Sequence, residues 1–99
     1  MKVIILLARR DGDTHEDFRR WWLDEHAPLA RQLPGLRRLV FNLADGEAGY
    51  DGVSELWFDS REDFDAAYAS EIGREVMADS TAHVGGRVRL VVDECVQLG

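Results

Sequence analysis

Ninety-nine residues suffice for one domain, residues 1–99, with no room for a second core. Nineteen acidic against twelve basic residues give a net charge of −7, which argues against nucleic acid and anionic membranes as partners. Cys95 is the only cysteine, so no internal disulfide can form. The apolar run 3–8 is too short for a signal-peptide core or a membrane span, and a cytoplasmic protein is expected.

The first predicted element is a strand over residues 2–8 (KVIILLA), β-branched and apolar on both faces, as a strand covered on both sides should be. Asp11-Gly12-Asp13 turns the chain. Thr14 then opens a helix, with Asp17 three residues on in a capping-box arrangement, and Glu16 and Arg20 spaced i,i+4 in the favourable order. This helix runs to about His26. Pro28 has no amide hydrogen for the carbonyl of Asp24 and its ring crowds the turn before it, so a break is predicted, followed by a short segment reaching Leu33.

Pro34-Gly35 is a turn, and residues 36–43 alternate as a strand. The glycine-rich stretch 44–52 (ADGEAGYDG) joins it to a strand at 53–58 as a long-looped hairpin. Ser60 with Asp63 caps the next helix, whose apolar face is Phe64, Ala67 and Tyr68. Residues 70–83 continue it after a break near Gly73. Gly85-Gly86 then turns into a final strand over 87–98.

The order β-α-β-β-α-β reads as an α+β, ferredoxin-like βαββαβ protomer: a four-stranded antiparallel sheet with its helices on one face. The other face should be polar if it meets water. Yet Val3, Ile5 and Leu7 oppose Ile4, Leu6 and Ala8, and Val53 and Trp57 oppose Leu56 and Phe58. A second copy related by a two-fold axis is the simplest cover, giving a homodimer that closes as a dimeric α/β barrel. One cavity per protomer is expected between sheet and first helix.

His26 edges the apolar stripe Phe18, Trp22, Leu29, Leu33 beside the Pro28 irregularity. It reads either as a general acid/base at a cavity mouth or as a capping histidine that satisfies a freed carbonyl. A helix C-terminus raises a histidine pKa and burial lowers it, so its charge state stays open. Glu55, between Val53 and Trp57, is either a buried acid facing the cavity or the partner of an arginine such as Arg37 or Arg89. Asp79 and His83, spaced i,i+4, are either an oriented pair or a solvated helix end. His15, in a first helical turn, is read as solvent-exposed.

Trp21, Trp22, Trp57, Phe18 and Tyr68 fill the core or line an apolar ligand pocket over which Tyr50, in the hairpin loop, can lean. No phosphate loop, nucleotide fingerprint, CxxC or HExxH is present, the three histidines lack metal-ligand spacing, and Cys95 has no evident histidine partner. No cofactor and no metal are expected.

The segments FRRWWLDEHAPLARQLPGLRR and DGVSELWFDSREDF, with His26-Ala27-Pro28, Pro34-Gly35-Leu36 and Glu55-Leu56-Trp57-Phe58 at these separations, resemble the EthD family of the dimeric α/β-barrel superfamily. The resemblance implies the protomer and homodimer just described. It implies that His26 matches the family's helix-one histidine beside the pocket and Glu55 its strand carboxylate. Asp79 falls where relatives carry an aspartate before an aromatic, whose place His83 takes here. Relatives include cofactor-free lactone isomerases, polyketide cyclases, dehydratases and decarboxylases; other barrels of the superfamily are small oxygenases or bind haem. The founding EthD proteins accompany an ether-degrading oxygenase.

The expected function is a cofactor-free isomerase, cyclase or lyase acting on a small cyclic or aromatic metabolite. His26 would move a proton, with Glu55 or Asp79 as its complement. The alternatives are a metabolite-binding accessory protein, and a small oxygenase or haem barrel using His26 or His83.

Overall fold

The computed structural model describes residues 1–99. Strand β1 (Lys2–Arg9) buries Val3, Ile5 and Leu7 on one face and leaves Ile4 and Leu6 half-buried on the other, the alternation that a two-residue repeat imposes. Strands β2 (Arg38–Leu43), β3 (Gly52–Trp57) and β4 (Val84–Val92) complete one antiparallel sheet in the order β2-β3-β1-β4. The most apolar strand, β1, therefore lies in the interior of the sheet, flanked on both sides.

Helix α1 (His15–Trp21) begins as its sequence requires: the Thr14 hydroxyl accepts from the Asp17 amide while the Asp17 carboxylate accepts from the Thr14 amide. Helix α3 (Arg61–Ala69) is capped by Ser60, and α4 (Glu71–His83) by Ser70. All pack on the same side of the sheet, where Phe18, Trp22, Phe64 and Val76 meet Val3 and Leu56 in a single core. This is the ferredoxin-like arrangement expected. No helix is long and apolar enough to cross a membrane.

Four local expectations are corrected. The first helix does not break at Pro28. It widens into a π-helical turn over Trp22–His26, where the Ala27 amide donates to the Trp22 carbonyl five residues back, and resumes as α2 (Ala27–Ala30). The wider turn takes up the proline ring that a tight helix cannot hold. The break between α3 and α4 falls at Ser70, three residues before Gly73, because the Ser70 hydroxyl accepts from the Gly73 amide. Gly73 lies inside α4, pressed against the backbone of Ala67 and Tyr68. Gly85 and Gly86 belong to β4, where Gly85 passes close to the Arg9 carbonyl at a register shift in the ladder; the strand ends at Val92, six residues short of Leu98.

Candidate functional site

The π turn sets the geometry. With its extra residue per turn, Trp22 and His26 both point into the protein, and each is at least 95% buried. They form one wall of a narrow apolar cavity whose floor is Ile5, Leu7, Ser54 and Leu56 of the sheet. Its other walls come from Tyr68 of α3, Val76, Met77 and Ser80 of α4, and Arg87 of β4. The cavity holds about 20 Å³, room for about one water. Leu39 and Phe41 divide it from an open groove of about 210 Å³ bounded by Leu23, Ala27 and Arg31. Phe41 stacks on Trp22 with centroids 4.1 Å apart, so its side chain is the partition.

His26 is held by α4. Its Nδ1 lies 2.8 Å from Asp79 Oδ2, and because an ionised carboxylate only accepts, Nδ1 carries the proton. The Nε2 lone pair is then left on the cavity side, 3.5 Å from the Ser80 hydroxyl. Burial pushes the imidazole pKa below its ordinary value of 6.5; the Asp79 hydrogen bond and charge pull it up, and His83 and Arg87 add to the downward push. The net result is a neutral imidazole at pH 7, with an oriented basic nitrogen. Asp79 is fixed in turn by the Trp21 indole N–H, 3.2 and 3.3 Å from its two oxygens. Behind it, His83 stacks on Trp21 at 4.8 Å and donates from Nδ1 to the Asp79 carbonyl at 2.9 Å.

Of the residues singled out from sequence, the structure thus brings together His26, Asp79 and His83, with Trp22 and Tyr68 in the cavity wall. It separates the others. Glu55 lies on the opposite face of the sheet, where it pairs with Lys2 at 2.9 Å and accepts from Asn42 at 3.1 Å. Those hydrogen bonds, Lys2 first, hold its carboxyl below the usual range. Neither Arg37 nor Arg89 is its partner: Arg37 pairs with Asp59, and Arg89 lies over the Phe64 ring. Trp57 shares that outer face, clasped between the cations of Lys2 and Arg38, each 4.7 Å from its ring centroid. Phe18 is packed behind Trp22 in the core, and Tyr50 is not part of the cavity wall. His26 caps no carbonyl, since the helix continues past it.

His15 is also corrected. It is half-buried, with Nδ1 2.7 Å from Oδ1 of Asp51, a buried carboxylate that also accepts from the Arg9 amide. Three residues of the site have roles that the sequence did not show. Ser80 was hidden beside Asp79. Trp21, expected in the core or a pocket wall, instead orients Asp79 through its N–H. Arg87 stands opposite Leu7 in the ladder and so shares the helix-facing side of the sheet. Its signal was the pair Arg87 and Arg89, two apart on a strand whose intervening residues are apolar. No group of three or more His, Cys, Asp or Glu side chains is arranged to hold a metal.

A family model described as the EthD domain matches residues 10–84. Among solved structures, an ethyl tert-butyl ether (EthD) family protein of Bacillus halodurans superposes with TM-score 0.84 at 24% identity, over 96% of this chain and 99% of that one. A dimeric ferredoxin-like protein of unknown function from Thermobifida fusca gives 0.73 at 20%, over 90% and 85%. A variant of SnoaB, a cofactor-independent oxygenase from Streptomyces nogalater, gives 0.65 at 11%, over 98% of both chains. At these identities the structures share the fold with this chain. No curated relative matches it in sequence.

Proposed function

The chain belongs to the EthD domain family, and from that premise we propose that it is a cofactor-independent isomerase, cyclase or lyase for a small cyclic or aromatic metabolite. The observation that carries this reading is the Asp79–His26 pair: a neutral imidazole, locked in one tautomer, aims its basic Nε2 at an apolar cavity. Such a base takes a proton from a carbon beside a substrate carbonyl. The C–H electron pair passes into the carbonyl as an enolate, and the imidazolium, stabilised by Asp79, returns the proton to another carbon or to a leaving oxygen. Ser80 stands where the substrate would meet Nε2 and can relay the proton. Asp79, rather than Glu55, is the complementary carboxylate.

The test is solvent deuterium exchange into enolisable cyclic ketones and lactones, followed by proton NMR. The protein should accelerate exchange, and His26→Ala should remove about 10²–10⁴-fold of that acceleration. Ligand binding without exchange, unaffected in His26→Ala, would instead describe an accessory metabolite-binding protein. A second reading follows from the fold shared with a cofactor-independent oxygenase. There the same enolate would be captured by dioxygen, and oxygen consumption during the exchange assay separates the two.

The reading includes a homodimer. Ile4, Leu6 and Val53 lie on the sheet face without helices, and the structural neighbour from Thermobifida fusca is described as dimeric. A second copy on that face would cover them.

A further inference from the structure

Arg87 is the unexplained charge of the cavity. Eight ion pairs tie up seven of the other eleven lysines and arginines of this acidic chain, but Arg87 forms none and donates no hydrogen bond to any protein acceptor. Its exposed neighbour Arg89 at least spreads over the Phe64 ring. Arg87 instead lines the cavity among Ile5, Leu7 and Tyr68. Burial lowers its pKa, as expected of a cation whose solvation has been partly removed without a counter-ion.

Apart from His26, whose Nε2 accepts, the remaining polar groups of the wall can all donate. The Trp22 indole N–H is fully buried and has no acceptor. Tyr68, Ser54 and Ser80 offer hydroxyls, and no carboxylate lies in the wall, since Asp79 stands behind His26. A mostly apolar cavity with several donors and one unpaired guanidinium is complementary to a ring that carries negative charge on oxygen. We infer that the ligand is an aromatic or cyclic organic acid, with its carboxylate on Arg87 and its ring against Trp22 and Phe41. This specifies the substrate class of the site proposed above and rests on that reading of the cavity.

The net charge of −7 does not oppose such a ligand at close range. Exposed carboxylates more than about 8 Å away are screened at physiological ionic strength, whereas a forked guanidinium–carboxylate contact in an apolar wall is not. The cavity must widen to admit a ring. Met77, an unbranched side chain in its wall, and Phe41, the partition to the outer groove, are placed to move.

Benzoate and its neutral isostere benzamide are the probes, titrated by tryptophan fluorescence and by the NMR shifts of the His26 ring. Benzoate should bind at least about tenfold more tightly, a difference of ~1.4 kcal/mol. Arg87→Gln should abolish that preference, Arg87→Lys should retain part of it, and Arg89→Gln should leave it intact. Equal binding of the two probes, or a preference that survives in Arg87→Gln, would overturn the anionic assignment while leaving the cavity a ligand site. Inorganic phosphate competing as well as benzoate would also overturn it, by showing a bare anion site. No shift with either probe at millimolar concentration would sink this inference and the ligand cavity together. Arg87→Lys keeps the cation at that position, so it guards against a Gln variant that merely fails to fold.

Discussion

At the scale of single residues, His26 is a compromise between two opposed forces. Burial disfavours the imidazolium, and Asp79, at 2.8 Å, favours it. Trp21, Ser80, His83 and Arg87 complete the surroundings, two of them cationic or able to become so. Burial wins. Because the folded pKa lies below the unfolded value of 6.5, the unfolded chain binds the proton first as pH falls. The protein should therefore lose stability as pH drops below 6.5 and through the lower folded pKa, and His26→Asn should remove that part of the loss. Denaturant melts at stepped pH would show it, and identical pH slopes for both proteins would refute it. Asp79→Asn removes the only upward pull on the imidazole, so NMR titration should find the His26 pKa lower still. A rise would mean that the carboxylate is not controlling the ring.

At the scale of elements, close backbone approach decides what a side chain can do. Gly73 is the position where α4 crosses the end of α3. A methyl group there would press into the Ala67 carbonyl and the Tyr68 Cα, backbone atoms that cannot swing aside. Gly73→Ala should thus destabilise by about 1–3 kcal/mol despite the better helix propensity of alanine. It should also disturb the cavity, since Tyr68 and Val76 flank the crossing. Equilibrium urea unfolding measures the first effect, and a gain in stability would contradict the packing argument. What was legible in the sequence is what local spacing decides. The caps at Thr14 and Ser60 and the alternation of β1 and β3 are local signals, and each appears where its spacing put it. The Ser70 cap competed with the more conspicuous Gly73, and Pro28 suggested a break where a π turn absorbed it. The alternation of Glu55 was readable, but which face holds the cavity was not, because that depends on where the helices cross over. Nor could spacing reveal that Asp79 meets His26, 53 positions away.

At the scale of the whole molecule, the outer sheet face is the surface that the chain's own helices leave uncovered. Leu90 opposes Ile4 and Val88 opposes Leu6 in the ladder, so these residues join Val53 on the side without helices. Leu90 remains 46% exposed and Val88 37%, an apolar strip that a lone domain of this size leaves in water at a cost of about 25 cal/mol per Å². Charged groups border it: Lys2 bridges Glu55 and Glu94, and Arg38 covers Trp57. An apolar centre with a polar rim is the anatomy of an interface. A two-fold axis would bring Leu90 and Ile4 against the same strip of a second copy. Leu90→Glu, which places a carboxylate in each half of that contact, should yield monomers at micromolar concentration with unchanged far-UV circular dichroism. Light scattering should give twice the 11.2 kDa chain mass for the parent protein and the single chain mass for the variant. A monomeric parent, or a variant that still dimerises, would show that the strip is not what joins two copies.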